Sequence, residues 1–398
     1  MSLAVTKSER PHISFFGCTN SGKSSLVNAV TNQNLSVVSD VKGTTTDAVQ
    51  KAMEILPLGP VVIIDTAGIN DEDAELGKLR IDATMRVLDK TDVAVLVVDS
   101  TLGLQKHDKN LINEFKERNI PYIVVLNKCD LVTQIDTSSQ LSHLGEVTCL
   151  LVSAKTGEGV NELKEKLGHI INDNKKEKYI IRDRLQEGDI VILVIPIDES
   201  APKGRIILPQ QNVLRECLDA HTTAICCQVN ELGKILKTIT PKLVITDSQA
   251  FNTVKEIVPK NIFLTSFSIL MANYRGKLQE LINSTEAISK LQDGDKVLIS
   301  EGCTHHRQCN DIGTVKLPNW IKNFSGANID FNFTQGGEFP EELSQYRLIV
   351  HCGGCMLNEQ EMQSRIKKAR ANKIPITNYG MAIAYMNGIL DRATEIFK

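Results

Sequence analysis

The chain has 398 residues, with 45 lysines and arginines against 48 aspartates and glutamates, and a formal net charge of -3. Its length exceeds that of one ordinary hydrophobic core and predicts two or three domains. The balanced charge excludes a strongly basic or acidic protein, so we expect no nucleic acid and no membrane as partners. No apolar run reaches the roughly 20 residues of a membrane span, and charged residues at positions 7, 9 and 10 interrupt any N-terminal signal peptide. These features predict a cytoplasmic protein.

A phosphate-binding loop follows the first predicted strand, which covers residues 12–16. The loop fits the P-loop pattern and leads into a helical run, so its backbone N–H groups and the helix N-terminus are expected to face phosphates. In this pattern Lys23 reaches the β and γ oxygens and Ser24 ligates magnesium. The residues predicted to line the nucleotide site here are Asn20, Ser21, Gly22, Lys23, Ser24 and Ser25.

Three further motifs each follow an apolar, strand-like run. In the first, Asp65-Thr66-Ala67-Gly68, the Asp65 carboxylate can hold the magnesium shell and the Gly68 N–H can sense a γ-phosphate. The second is Asn127-Lys128-Cys129-Asp130 and the third is Ser153-Ala154-Lys155.

Together these motifs resemble those of the translation-factor-like GTPases. The resemblance implies that the Asp130 carboxylate, in the motif with Asn127 and Lys128, accepts hydrogen bonds from guanine N1 and N2. It also implies that the backbone of residues 153–155 contacts guanine O6. Adenine would leave the carboxylate badly matched, so the expected ligands are GTP and GDP.

A switch motif at residues 43–47, Gly-Thr-Thr-Thr-Asp, is similar to that of the branch containing the tRNA-modification and ribosome-assembly GTPases. By that match Thr45 binds magnesium, and Asn20 helps to hold a potassium ion that supplies the charge of an arginine finger. Ile69 stands where small regulatory GTPases carry a catalytic glutamine, so we expect slow hydrolysis. The predicted catalytic residues are Lys23, Thr45, Asp65 and Gly68.

A polar run at residues 172–178 separates this region from a stretch in which apolar runs alternate with segments at helical spacing. The alternation predicts βαβ units with a parallel sheet over residues 180–265. Two interpretations of this stretch remain open: an active site that carries no known motif, and a scaffolding or dimerising domain. The second is favoured, because the stretch offers no set of residues from which to build an active site.

The C-terminal region carries a cysteine motif, Cys303-Thr304-His305, followed after 45 residues by His351-Cys352-Gly353-Gly354-Cys355. Both halves come just after predicted strands, whose carboxyl ends share one edge of an open α/β sheet. The ligands allow a closed Cys₃His zinc site or an iron–sulfur cluster held by three thiolates. Cys303, Cys352 and Cys355 are the strongest candidate ligands, His305 and His351 are candidates for a fourth, and Cys309 is a spare thiol.

This cysteine motif, joined to a GTPase of the potassium-responsive branch and a middle α/β domain, resembles the family of iron-iron hydrogenase maturation GTPases. The resemblance covers essentially the whole chain. It implies three α/β domains: a P-loop GTPase (1–172), a middle parallel dimerisation domain (180–265) and a metal-cluster domain (266–398).

The resemblance also implies cofactors and partners. The cofactors are Mg²⁺, K⁺, a 4Fe-4S cluster and a transient diiron precursor. The protein is expected to be a homodimer whose partners are two radical-SAM maturases and an apo iron-iron hydrogenase. The radical enzymes' own Cys-x₃-Cys-x₂-Cys motif is absent from the sequence, so this chain is expected to receive the precursor and not to synthesise its ligands.

Two other functions remain open from the sequence. An RNA-modification or ribosome-assembly GTPase with a structural zinc would need an RNA-binding module, and neither a GXXG loop in a basic context nor an aromatic stacking motif occurs. A redox enzyme using the cluster for electron transfer would need a substrate pocket or a second cofactor motif.

Overall fold

Three β-sheets with helices against their faces organise the chain. The computed structural model describes residues 7–33, 48–68, 74–132, 148–173, 177–197, 206–275, 277–303 and 311–398, without the side chains of 74–79. The chain divides into two compact units, Met1–Lys176 and Glu177–Lys398.

The first unit contains one six-stranded sheet in the order β2-β3-β1-β4-β5-β6. Its strands are β1 (His12–Phe16), β2 (Val49–Ile55), β3 (Gly59–Asp65), β4 (Val93–Asp99), β5 (Tyr122–Asn127) and β6 (Cys149–Val152). Its α-helices are α1 (Lys23–Thr31), α2 (Ala74–Leu88), α3 (Lys106–Glu117) and α4 (Val160–Asp173). Strand β2 pairs antiparallel with β3, and the other neighbours are parallel.

Both faces of this sheet are covered, which explains why its central strands are continuous apolar runs instead of alternating ones. All five residues of β1 are buried, and six of the seven residues of β4 are buried. Ile13 and Phe15 belong to one hydrophobic core, whereas Phe16 belongs to the core on the other face, where its ring lies 5.3 Å from that of Phe115. The parallel strands therefore bring the predicted nucleotide motifs to one edge.

The second unit contains two four-stranded parallel sheets, β10-β9-β7-β8 and β12-β11-β13-β14. The strands of the first are β7 (Ile190–Val194), β8 (Thr223–Cys227), β9 (Leu243–Thr246) and β10 (Phe263–Ser266). Those of the second are β11 (Lys296–Ser300), β12 (Asp330–Thr334), β13 (Leu348–His351) and β14 (Ile376–Asn378). The predicted three-part α/β architecture, with its parallel middle sheet, is confirmed.

Nine helices accompany these two sheets in the described part of the second unit. They are α5 (Leu208–Asp219), α6 (Val229–Ile235), α7 (Phe251–Ile257), α8 (Phe267–Tyr274), α9 (Leu278–Asn283), α10 (Leu317–Ser325), α11 (Glu359–Ala371), α12 (Tyr379–Met386) and α13 (Leu390–Thr394). One hydrophobic core joins the two sheets, with Val244 and Phe251 on one side and Leu298, Val350 and Met381 on the other. Strands β11 and β13, which precede the cysteines of the C-terminal motif, are neighbours at the centre of the second sheet.

Candidate functional site

Two glycines shape the loop between β1 and α1. Gly17 and Gly22 have φ angles of +141° and +87°, a region that side chains disfavour. A Cβ at Gly17 would overlap the carbonyl oxygen of Val97, and one at Gly22 would overlap the side-chain amide of Asn127. Among the described residues no side chain caps the N-terminus of α1, so its first amides can face phosphate oxygens.

Lys23 is buried at the start of α1, with 5% of its surface exposed. Its Nζ donates hydrogen bonds to the carbonyl oxygens of Gly17 at 3.0 Å and Cys18 at 2.8 Å. Burial lowers the pKa of Lys23 to about 8, although the nearby Asp65 carboxylate acts in the opposite direction. The ammonium is therefore held inside the curve of the P-loop by the loop's own carbonyl oxygens.

Ser24 and Asp65 form the candidate magnesium site. Ser24 Oγ donates to Asp65 Oδ2 at 2.7 Å, and Asp65 Oδ1 is buried without a hydrogen-bond partner in the described part of the chain. A carboxylate oxygen beside a hydroxyl fits a hard cation such as Mg²⁺. Thr45, the third predicted ligand, lies outside the described residues.

Gly68 closes against the P-loop. A Cβ at this position would lie 2.7 Å from both Cα and Oγ1 of Thr19, a separation that only glycine permits. The Thr19 hydroxyl is itself buried without a hydrogen-bond partner among the described residues. The Gly68 backbone thus lies directly against the P-loop at Thr19.

Asn127 connects the P-loop to the third motif. Its side chain is buried, with Nδ2 donating to the carbonyl of Ser21 at 2.9 Å and Oδ1 accepting from the N–H of Ala154 at 3.0 Å. Lys128 follows in a left-handed conformation with φ of +65°, and its Nζ lies 2.5 Å from Asp99 Oδ2. The segments predicted to bind phosphate and guanine are therefore joined through one side chain.

The remaining predicted nucleotide residues also lie at this edge of the sheet. Asp130 Oδ1 accepts a hydrogen bond from the buried Ser153 hydroxyl at 2.7 Å, which orients the carboxylate predicted to bind guanine. Lys155 is exposed, Ser25 is half-buried, and Asn20 is exposed in a left-handed conformation with φ of +64°. No contact of the described residues tests the predicted potassium role of Asn20.

The C-terminal cysteines lie at the carboxyl ends of β11 and β13, which pair in parallel with Ser300 opposite His351. The N–H of Gly302 donates to Cys352 Sγ at 3.1 Å, and the N–H of Gly354 donates to the same sulfur at 3.4 Å. Burial raises the pKa of the Cys352 thiol to about 11. Cys303, three residues past β11, accepts a backbone hydrogen bond from Gly336 at 3.3 Å.

The donor chemistry at Cys352 fits an iron–sulfur cluster. Backbone N–H groups directed at a cysteine sulfur are the hydrogen bonds that stabilise cluster thiolates and tune their potentials. Within the described ranges, no three His, Cys, Asp or Glu side chains are grouped closely enough to hold a single metal ion. His305 and Cys309 fall in the undescribed segment 304–310.

His351 is fully buried, and both of its ring nitrogens have protein partners. Nε2 lies 2.9 Å from Arg365 Nη1, and Nδ1 lies 2.8 Å from the carbonyl oxygen of Cys352. Because a guanidinium can only donate, Nε2 accepts, and Nδ1 carries the proton that it donates to Cys352. Burial, with a further contribution from the Arg365 charge, lowers the pKa of His351 to about 3. His351 would have to release Arg365 before Nε2 could bind iron.

Sequence reasoning did not select Arg365 and two other buried polar residues near the cysteines. Glu301, one residue past β11, is 3% exposed and accepts a hydrogen bond from the Tyr379 hydroxyl at 3.2 Å. Glu301 stands two residues before Cys303, which is the one sequence signal that could have identified it. Arg365 is four residues after Glu361 on α11 and looks like a solvent-facing partner of an ordinary ion pair.

Three family models match successive parts of the chain. The family model described as "50S ribosome-binding GTPase" matches residues 12–128. "Hydrogen maturase F dimerization domain" matches residues 180–276, and "Hydrogen maturase F tetramerization domain" matches residues 279–396. The two hydrogenase maturase F models together cover more than half of the chain.

Individual relatives match a smaller part. The tRNA modification GTPase MnmE of Clostridioides difficile is 32% identical over 155 residues, covering 39% of this chain and 33% of that protein. GTPase Der of Lachnospira eligens is 31% identical over 176 residues, covering 41% of this chain and 40% of that protein. The chain thus spans about a third to two fifths of the length of these curated relatives. A solved structure of Aquifex aeolicus Era bound to GDP·AlF4⁻ is 19% identical with a TM-score of 0.38, covering 55% of this chain and 93% of that chain.

The N-terminal part is a GTPase domain, as predicted from the P-loop and its companion motifs. The rest of the chain matches one family model named for dimerization and one named for tetramerization. In the portion of the chain that the structure describes, no helix is both long and apolar enough to cross a membrane.

Proposed function

The chain belongs to the hydrogenase maturase F family, and on that premise we propose that it is a GTPase and scaffold in the maturation of iron-iron hydrogenase. It holds a 4Fe-4S cluster and a transient diiron precursor, which it transfers to the apo-hydrogenase. Two radical-SAM maturases supply the precursor. The protein acts in the cytoplasm as a homodimer that can assemble further through its C-terminal domain.

The parallel pairing of β11 with β13 is the observation that carries this proposal. It brings the strand end before Cys303 next to the strand end before Cys352 and Cys355, and two backbone N–H groups converge on Cys352 Sγ. A cluster held by these three thiolates would keep one iron with a replaceable ligand, the property needed to accept and release a precursor.

The residue that completes the cluster is proposed from the same region. His305 and His351 are the two candidates for the fourth cluster ligand, and their surroundings differ. His351 already engages Arg365 and the Cys352 carbonyl, so its part in the site is to orient Cys352 unless Arg365 moves. His305 stands two residues after Cys303 in the undescribed segment.

In the GTPase domain, Ser24, Thr45 and Asp65 are the proposed magnesium ligands. Magnesium, when bound, neutralises charge on the β- and γ-phosphate oxygens. Lys23 and Gly68 contact the terminal phosphate, and Asn20 is the proposed potassium ligand. The orphaned Asp65 Oδ1 beside Ser24 supports this assignment.

Metal analysis of anaerobically purified full-length protein tests the proposal. We expect about four iron and four sulfide per chain and little zinc, as a 4Fe-4S cluster requires. Single Ala substitutions of Cys303, Cys352 or Cys355 should remove the charge-transfer absorbance and the delivery of precursor to apo-hydrogenase. Cys226→Ala is the matched control, because Cys226 is an exposed cysteine in β8 outside the site.

The zinc content also distinguishes the proposed function from the alternative one. Stoichiometric zinc without labile sulfide would indicate a structural zinc site and favour an RNA-modification or ribosome-assembly GTPase. Cluster retention after loss of one of the three cysteines would contradict the proposed ligand set. GTP hydrolysis is expected under both functions, so it does not discriminate between them.

A further inference from the structure

Helix α8 belongs to the hydrophobic cores of both sheets in the second unit. Phe267, Leu270 and Met271 are buried in the core around β7 and β9, whereas Ile269 is buried in the core that includes β11 and β13. A helix that is apolar on all sides is enclosed by its neighbours. The dimerization-domain model includes α8, so this helix brings residues of the middle domain to the C-terminal one.

Both ends of α8 are hydrogen-bonded to the C-terminal domain. At its start, the carbonyl oxygen of Ser268 accepts from Asn378 Nδ2 at 3.1 Å. Just past its end, the carbonyl oxygen of Arg275 accepts from Gln363 Nε2 at 2.9 Å. Asn378 is the last residue of β14, and Gln363 lies on α11, the helix that follows the cysteine motif. Helix α8 is thus attached at both ends to the part of the domain that carries the cysteines.

Ser268 is in contact with the cysteine loop itself. A Cβ at Gly353, between Cys352 and Cys355, would lie 3.6 Å from Ser268 Oγ, an ordinary van der Waals distance. Gly380 approaches Ser268 more closely, since a Cβ there would lie 2.9 Å from the same oxygen. The Ser268 hydroxyl therefore lies between the loop after β13 and the start of α12.

The hydrogen bonds of Ser268 determine where its hydroxyl proton can point. Its Oγ accepts from the N–H of Gly380 at 3.3 Å and from Asn378 Nδ2 at 3.4 Å. A serine hydroxyl has two lone pairs and one proton, so these two donors occupy both lone pairs. The described residues provide no acceptor for the proton, and the oxygen also adjoins Gly353. The proton can therefore bond to an acceptor held at the cysteine motif.

From this arrangement we infer that Ser268 donates a hydrogen bond from its hydroxyl to a sulfur atom of the iron–sulfur cluster. The inference rests on the cluster site proposed above, to which it adds a residue of the middle domain. Ser268 would act together with the N–H groups that Gly302 and Gly354 direct at Cys352 Sγ. Hydrogen bonds to cluster sulfurs favour the reduced form, because its sulfurs carry more negative charge, and so raise the reduction potential.

The test compares Ser268→Ala with Ser248→Ala in anaerobically purified full-length protein. Ser248 is the matched control, because its hydroxyl also adjoins Gly380 but donates to Ser266 Oγ at 3.0 Å. Each protein is exchanged into D₂O and reduced with dithionite, and electron–nuclear double resonance measures the exchangeable deuterons near the cluster. Redox titration measures the midpoint potential, and iron analysis measures the cluster content.

For Ser268→Ala we expect the loss of one exchangeable deuteron coupling, while the couplings of the backbone N–H groups persist. At the wild-type midpoint potential, the ratio of reduced to oxidised cluster should fall about threefold to tenfold, as for one lost hydrogen bond. The iron content should stay at the wild-type level, because the three thiolates still hold the cluster. Ser248→Ala should match wild type in all three measurements.

Unchanged deuteron couplings in Ser268→Ala protein that holds a cluster would overturn the inference and leave the cluster proposal intact. Loss of the iron from folded Ser268→Ala protein would also overturn it, because Ser268 would then support the loop and not bond to the cluster. Wild-type protein without iron and sulfide would reject the cluster proposal and this inference with it. If Ser268→Ala does not fold, Ser268→Thr keeps the hydroxyl, and its folded protein must retain the coupling.

Discussion

Arg365 Nη1 donates a hydrogen bond to His351 Nε2 at 2.9 Å, and this contact fixes the tautomer of the histidine next to Cys352, a proposed cluster ligand. The same guanidinium reaches the carbonyl oxygen of Gly336 at 2.6 Å and Glu361 Oε1 at 3.0 Å. Arg365 thus joins α11, β13 and the loop after β12. The histidine of the cysteine motif is part of a hydrogen-bond network before any metal is considered.

We predict that His351→Gln keeps the iron content near that of wild type while changing the cluster's electronic spectrum. Glutamine can still accept from Arg365, but its flexible amide replaces the rigid imidazole whose Nδ1 donates to the Cys352 carbonyl. Iron analysis and electron paramagnetic resonance of the reduced protein measure the two effects. Loss of most of the iron from a folded His351→Gln protein would show that His351 is a ligand.

Arg365→Met should lower the free energy of unfolding by about 1–3 kcal/mol, because it leaves buried acceptors of His351 and Gly336 without their donor. The matched control is Arg370→Met on the same helix. Arg370 is an exposed partner of Glu280, and exposed ion pairs contribute little. Denaturant unfolding of the two variants should therefore differ clearly, and equal effects would contradict the buried network.

GTP turnover is expected to require magnesium and to be faster in potassium than in sodium, with Lys23→Ala abolishing it. Potassium dependence rests on Asn20 and the switch motif at residues 43–47, because these resemble the potassium-responsive branch. Steady-state phosphate release in the two salts at equal ionic strength measures the difference. Equal rates would remove the potassium role, whereas a preference for ATP would reject the nucleotide assignment.

The second unit should form an oligomer without the GTPase domain. A chain beginning at Glu177 keeps its first segment anchored, because the Glu216 carboxylate accepts hydrogen bonds from the N–H groups of Ile180, Ile181 and Arg182. Ile180 and Ile181 are also buried in the core around β7 and β9. Sedimentation should show a dimer or a larger assembly, and a monomer would reject the dimerising role of the middle domain.

The sequence predicts the sheets well because buried parallel strands are continuous apolar runs. An apolar run predicts a strand over Lys296–Ser300, and helical spacing predicts a helix over Glu359–Ala371; both elements form with these bounds. The helix is well delimited because Asn358 caps its first turn at 3.0 Å from the Glu361 N–H. From Phe267 to Leu291 the sequence predicts one or two helices, and the structure forms two, α8 and α9, followed by a 3₁₀ segment.

The site residues that the sequence did not reveal are polar groups buried by tertiary contacts. Arg365 lies between Glu361 and the basic residues Lys367 and Lys368 on its helix, a pattern typical of a solvated face. Its burial depends on which face of α11 meets β13, and local spacing does not contain that information. The motif residues Lys23, Asp65 and Asn127 were predicted because their spacing after a strand is itself the signal.

Nucleotide binding should take up a proton above about pH 8. Burial lowers the pKa of Lys23 to about 8, whereas phosphate oxygens beside Nζ favour the charged form and raise that pKa. Below about pH 7 Lys23 is charged with or without nucleotide, so affinity does not depend on its titration. Above pH 8 binding must protonate it, and GDP affinity should fall by up to about tenfold per pH unit.

Calorimetry of GDP binding at pH 7 and pH 8.8, in buffers with different ionisation enthalpies, measures this proton uptake directly. Lys23→Arg is the matched control, because a guanidinium stays charged over the whole range while titration of the guanine itself is unchanged. At pH 8.8 we expect the wild-type protein to take up most of one proton more than Lys23→Arg does. At pH 7 we expect no difference in proton uptake between the two proteins. Equal proton uptake in the two proteins at pH 8.8 would show that Lys23 is fully charged before the nucleotide binds, and that burial in the P-loop does not control its ionisation.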